Sequence, residues 1–300
     1  MIKTIKIGDI AIRLKSVDPC HGLHLPASFA PFLCENGETE AAAELFVNYS
    51  SAIEPPRFSG VAIPKLVASG VNDLGEAKLI FDGRDYIVAL LPHPTAGVRY
   101  MKIDEDFRKA EMTLLKDDPF ALFTVDSMLR IYFSQVAALN SSFLLHASAV
   151  EGEGKAHLFM GKSGTGKSTH SRLWLQEFED FTLLNDDNPL VRICRDGVVR
   201  VSGTPWSGKT PCYRNRSLPL GSLTRLYQAK ENKYRELKDT DAFVAILPGV
   251  SVFSHSRRLY DSVCDTITSV AAKVRVGTLG CLPHPSAAIF CRSNVVEKEK

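Results

Sequence analysis

The octapeptide Gly161-Lys162-Ser163-Gly164-Thr165-Gly166-Lys167-Ser168 constrains this 300-residue chain more than any other segment. It fits the pattern G-x-x-x-x-G-K-[ST]. The flanks fit as well: Ala156–Met160 reads as an apolar strand entering the loop, and Ser168–Glu177 reads as a helix leaving it. A strand, a glycine loop and a helix in that order are α/β grammar. Glycines allow successive backbone N–H groups to curl around phosphate oxygens with no Cβ in the way. The helix then aims its positive end at the same anion. The spacing therefore assigns Gly161, Lys162, Ser163, Gly164, Thr165, Gly166, Lys167, Ser168 and the adjoining Thr169 to nucleotide phosphates, with Lys162 reading equally as a solvated surface lysine. Lys167 is placed to reach the β- and γ-phosphates and the Ser168 hydroxyl to ligate Mg²⁺, so ATP and Mg²⁺ are the expected cofactors.

A second cluster follows in Leu183-Leu184-Asn185-Asp186-Asp187-Asn188, where a short apolar run ends in two carboxylates. Strand ends beside such a loop are where α/β sheets bind ligands. One aspartate can hold Mg²⁺ while the other takes a proton from an attacking hydroxyl. The same residues also read as a polar turn. Upstream, His146 lies in the apolar stretch Leu144–Val150 and reads either as a core histidine or as a functional one. Downstream, residues 203–216 crowd glycines, prolines, Trp206 and the cations Lys209, Arg214 and Arg216 together. Lys209 and Arg214 are candidate ligands for substrate oxygens, or solvated cations of a structural loop. Gly208-Lys209-Thr210 is not a second phosphate loop, because no strand enters it and Pro211 opposes a following helix.

Composition narrows the partners. Lys+Arg number 36 against 34 Asp+Glu, a formal charge of +2, so no global field favours nucleic acid or an anionic membrane. Hydrophobic residues at 45% and charged residues at 23% exclude a disordered or fibrous chain. No apolar run approaches the roughly 18 residues of a membrane helix. Lys3, Lys6 and Asp9 interrupt the start, where a leader needs an unbroken apolar stretch. A cytoplasmic protein without nucleic-acid or membrane partners is expected. The seven cysteines show no CxxC spacing, which argues against a disulfide framework or zinc ribbon, and Cys20-His21-Gly22-Leu23-His24 lacks a partner cluster for a metal.

The chain changes character near Asp117-Asp118-Pro119. Residues 1–117 read as a β-rich accessory domain, with hairpins at Ile5–Leu14 (turning on Gly8-Asp9) and at Ala77–Leu91. Residues 118–300 read as the nucleotide-binding domain. It opens with a helix from Pro119 to Asn140 capped by Asp118, continues with a strand Phe143–Val150, and ends in a helical region centred on Asp261–Lys273.

His146 stands fifteen positions before Gly161, and the aspartate pair nineteen and twenty positions after Lys167. With GKSGTGKS between them, this constellation resembles the catalytic domain of bacterial HPr serine kinase/phosphorylase, a P-loop fold related to phosphoenolpyruvate carboxykinase. The likeness covers roughly residues 140–230. It implies an α/β P-loop kinase domain of that type, preceded here by the β-rich N-terminal domain, and transfer of the ATP γ-phosphate to a serine of a protein or peptide. It further implies Asp186 as general base hydrogen-bonded by His146, Asp187 as a Mg²⁺ group beside Ser168, and self-association. The family's further glutamate has no counterpart in Val199-Arg200-Val201-Ser202-Gly203. Two other readings stay open: a carboxykinase-like or other small-molecule phosphotransferase, in which Lys209 and Arg214 bind the acceptor, and a non-catalytic, ATP-dependent interaction module.

Overall fold

The computed structural model describes residues 1–16, 18, 21–34, 39–72 and 75–296. Cys20 and the charged tail 297–300 lie outside them. The chain forms two compact units, Met1–Val136 and Ala137–Lys300, and together they are a mixed α/β protein with two large sheets.

The first unit contains β1 (Ile2–Ile7), β2 (Ile10–Ser16), β3 (Leu33–Cys34), β4 (Ala43–Ser50), β5 (Lys65–Asn72), β6 (Gly75–Phe81), β7 (Tyr86–Leu91), β8 (Arg99–Ile103) and β9 (Lys109–Leu115). Among the described residues these make one sheet in the order β3-β1-β2-β4-β9-β8-β7-β6-β5. Its pairings are antiparallel except β2–β4 and β4–β9. The Gly8-Asp9 turn has its glycine at φ 59°, which explains why glycine stands there. Alternation is clear in β4, where Ala43, Leu45 and Val47 are buried, and in β9, where Ala110, Met112 and Leu114 are. That period of two marks a sheet covered on one face.

Helix α1 (Ala121–Ala138) starts where Asp118 accepts from the Phe120 N–H at 2.9 Å. The division between the units falls within α1, after Val136, rather than at the composition change of 117/118. The sequence does not display one tether of α1 to the first unit: the Tyr132 hydroxyl donates to the carbonyls of Glu44 and Phe107.

The second unit contains β10 (Ser142–Leu144), β11 (Ala147–Gly152), β12 (Lys155–Met160), α2 (Lys167–Glu177), β13 (Thr182–Asp187), β14 (Leu190–Ile193), β15 (Val199–Ser202), β16 (Ser217–Gln228), β17 (Lys233–Leu237), α3 (Asp239–Ile246), α4 (Arg257–Lys273), β18 (Arg275–Cys281) and α5 (Pro285–Val295). Three parallel strands, β12, β16 and β18, form its centre. β11 flanks β12 antiparallel and β13 flanks β11. β16 is long enough to serve two ladders: Ser217–Pro219 pair with β15, and later residues pair with β12 and β18. Phe159, Trp174, Phe181, Leu226, Leu279 and Cys291 pack into one apolar cluster contributed by strands, α2 and α5.

Two expectations are corrected. The single strand Phe143–Val150 is two strands, because the Leu145 and His146 amides leave the ladder to donate to the carbonyls of Pro189 and Gly249. The helical C-terminal region contains a central strand, β18. Its glycines hide it from propensity, yet packing demands them: a Cβ on Gly277 would lie 2.3 Å from the Tyr234 hydroxyl, and one on Gly280 2.7 Å from the Tyr227 ring.

The core also holds two neutral histidines. His157 Nδ1 lies 2.9 Å from the Ser222 hydroxyl, and His170 Nε2 accepts from Trp174 Nε1 at 3.1 Å. Burial pushes each imidazole down to about 4. An unfolded histidine near 6.5 binds its proton first, so acid favours unfolding. Stability is therefore expected to be full above pH 6.5 and to fall between 6.5 and 4, by about 3 kcal/mol per histidine. Urea denaturation across that range checks this, and His157→Gln should flatten the pH slope.

Candidate functional site

The loop 161–166 leaves β12 at Met160 and enters α2 at Lys167. Gly161, Gly164 and Gly166 have φ of 155°, 78° and 105°. A Cβ on Gly164 or Gly166 would meet nothing within 4 Å, so backbone conformation rather than crowding requires glycine there. The loop closes on itself: Thr165 donates to the Lys162 carbonyl from both its amide and its hydroxyl, and Lys167 Nζ donates to the Gly161 carbonyl at 3.1 Å. Lys162, Ser163, Gly164 and Ser168 are exposed, and Thr165, Gly166, Lys167 and Thr169 half-buried.

The strand ladder delivers the carboxylates to this loop. Ala147 pairs with both Met160 and Asp187, and Ser148 with both Phe159 and Asp186. The aspartates thus sit at the end of the sheet where the loop begins, on opposite faces, as neighbours on a strand must. Asp186 shares the face of Ser148, whose hydroxyl accepts from the Ser171 hydroxyl of α2 at 2.6 Å. Ser168 precedes Ser171 by three positions and so lies on the same side of α2. Burial weakens the Lys167 ammonium's hold on its proton, while the charges of Asp187 and Asp186 strengthen it; the net shift is downward.

The two aspartates differ in environment. Asp186 is 4% exposed, and both carboxylate oxygens are buried with no hydrogen-bond partner among the described residues. Asp187 is more open, at 19% for its side chain. His146 Nε2 lies 3.5 Å from its Oδ1, and the Asn188 amide donates to its Oδ2. His146 therefore meets Asp187, not Asp186 as the family resemblance implied. The strand break at residues 145–146 sets this, since it places His146 beside the Ala147–Asp187 pair.

The expected substrate cations separate. The Arg214 guanidinium is bound at 2.6 Å to Glu151, a carboxylate that Arg216 also pairs at 2.9 Å, and it donates to the Thr182 hydroxyl and the Leu183 carbonyl. Arg214 thus serves as a structural brace to Glu151, Thr182 and Leu183, with its side chain still 37% exposed. Lys209 is exposed and makes no ion pair among the described residues. The loop that carries it is held against the end of β13, because the Gly208 N–H donates to the Asp186 carbonyl at 2.8 Å and Ser207 bridges to Asp187. No helix follows Thr210.

Sequence reasoning passed over Asn185, which organises this region. Fully buried, it donates through Nδ2 to the carbonyls of Thr204 and Trp206 and to the Thr204 hydroxyl. Its Oδ1 accepts from the Asp187 and Asn188 amides. One side chain thereby fixes both the end of β13 and the loop 203–208. The only signal was an asparagine next to the aspartate pair, which turn propensity explains equally well.

Among the described residues no group of three or more His, Cys, Asp or Glu side chains is arranged to hold a metal ion. A Mg²⁺ ion suits the residues present, because it retains waters and takes one or two protein oxygens together with phosphates. No helix among the described residues is long and apolar enough to cross a membrane. Comparison with protein-family models finds no match, and comparison with curated proteins finds none.

Asn185→Ala should cost about 3 kcal/mol, because two carbonyls and two amides lose their buried partner. Urea denaturation measures the loss, and limited proteolysis should show cleavage within 203–210 that the unaltered protein resists.

Proposed function

We propose that the second unit is an ATP- and Mg²⁺-dependent phosphotransferase that acts on a serine hydroxyl of a protein or peptide. The observation that carries this reading is the buried, unpartnered carboxylate of Asp186 beside a glycine loop shaped for phosphate. A buried carboxylate without a partner is costly in a purely structural role. A divalent cation held by Asp186 when ATP binds would supply the missing charge.

The geometry favours exchanging the roles drawn from the resemblance. Asp186, on the face of Ser168 and α2, is the Mg²⁺ group. Asp187, more open and facing His146, is the base. The loop amides and Lys167 hold the β- and γ-phosphates, and ATP with Mg²⁺ provides the electrophilic phosphorus. Asp187 accepts the proton of the serine hydroxyl as its oxygen attacks, and the bond to the ADP oxygen breaks in line. His146 orients the Asp187 carboxylate and stabilises its charge before transfer. Catalysis by positioning and charge needs little else. An ATP-consuming enzyme of this kind fits the cytoplasm.

A small-molecule acceptor is less well supported. It would rely on Lys209 and Arg214 together, and Arg214 is committed to Glu151, Thr182 and Leu183.

The test follows γ-labelled ATP into protein bands of a lysate from the source cells, with calorimetry of MgATP binding in parallel. Asp187→Asn should lower transfer by about 100-fold or more with nucleotide binding retained. Asp186→Asn should weaken the Mg²⁺ dependence of nucleotide binding itself. Full transfer by Asp187→Asn would refute the base assignment, and MgATP binding without transfer to any acceptor would favour a non-catalytic module.

A further inference from the structure

Strands β12, β16 and β18 run parallel, so their carboxyl ends lie together. Such ends are where open α/β sheets bind ligands. β12 ends there in the phosphate loop. The two aspartates lie to one side of it, on β13, with β11 between. On the other side β16 and β18 run on past the loop. Met160 is level with Arg225, while Tyr227 and Gln228 are still paired, with Gly280 and Cys281. The Leu226 carbonyl stands against the loop's first residue, since a Cβ on Gly161 would lie 3.2 Å from its oxygen. Tyr227 therefore follows directly on a peptide that touches the loop. It stands one strand spacing from β12, about 4.8 Å, and two residues, roughly 6.6 Å, beyond Met160.

Two exposed apolar side chains occupy that rim. Leu226 turns into the cluster with Trp174 of α2, so its neighbour Tyr227 turns the other way and stays 46% exposed. Its ring rests on the backbone of β18: a Cβ on Gly280 would lie 2.7 Å from the ring's Cε2 and Cζ. Leu282, two residues beyond Gly280 at the end of the same strand, is 45% exposed.

A triphosphate in the loop has a direction. In the kinase reading its γ end and Mg²⁺ face the aspartates, so the nucleoside end leaves on the opposite side, over the ends of β16 and β18. Resting on that reading, we propose that Tyr227, flanked by Leu282, is the platform on which the adenine of ATP stacks. The ring offers a π-face and an apolar body held in place by Gly280, which is what a base needs from a stacking partner. Stacking reads area rather than hydrogen-bonding edges, so this platform favours purine over pyrimidine triphosphates.

Titration calorimetry of the full chain with MgATP, MgCTP and magnesium tripolyphosphate tests the proposal, with circular dichroism confirming that each variant is folded. The unaltered chain should bind MgATP more tightly than MgCTP. Tyr227→Ala should weaken MgATP binding by about tenfold or more, bring it close to that of MgCTP, and leave tripolyphosphate binding as it was. Tyr227→Trp should keep or strengthen MgATP binding. A tyrosine that served only to cover Gly280 would leave the ATP-to-CTP ratio unchanged on replacement, and that result would overturn the platform while the phosphate site stands. Equal losses of MgATP and tripolyphosphate in Tyr227→Ala would overturn it as well, as a disturbance of the loop itself. An unaltered chain that binds neither MgATP nor tripolyphosphate would overturn the kinase reading and the platform together.

Discussion

One buried amide organises the candidate site. Asn185 is bonded on one side to the amides of Asp187 and Asn188 and on the other to the carbonyls of Thr204 and Trp206. It has no charge to desolvate and nearly every bonding valence is used, so it rigidifies without the penalty that a buried ion carries. The direction of Asp187, the seat of the loop carrying Lys209, and the approach of Gly208 to the Asp186 carbonyl all depend on it. Gly203 belongs to the same arrangement, because a Cβ there would fall 2.1 Å from the Arg214 carbonyl.

What the sequence made legible was local. The strand, loop and helix around Gly161–Ser168 carry their own periodicity and glycines, and the hairpin at Gly8-Asp9 announces its turn. The helix from Ala121 to Ala138 follows from apolar spacing and the Asp118 start. What stayed hidden depends on distant partners. The break at Leu145-His146 comes from carbonyls of Pro189 and Gly249. The commitment of Arg214 comes from Glu151, which the sequence gives no reason to pair with it. β18 was masked because its glycines serve the rings of Tyr227 and Tyr234 rather than a turn.

The same distinction separates the two aspartates. As neighbours in sequence they look interchangeable. The pairing of Ser148 with Asp186 and of Ala147 with Asp187 sends them to different faces and different surroundings, one carboxylate closed off with no hydrogen bond among the described residues, the other beside an imidazole. Environment, rather than residue type, is what distinguishes two chemically identical carboxylates.

β16 has a consequence for how this unit can vary. Its residues pair with β15 at one end and with β12 and β18 at the other, with a register shift against β12 where Gly221 is passed over between Leu220 and Ser222. Gaining or losing one residue between Ser217 and Gln228 would turn inward-facing side chains outward in one of the two ladders. Loops outside it can lengthen without that consequence, so the span of β16 acts as a fixed measure for the unit.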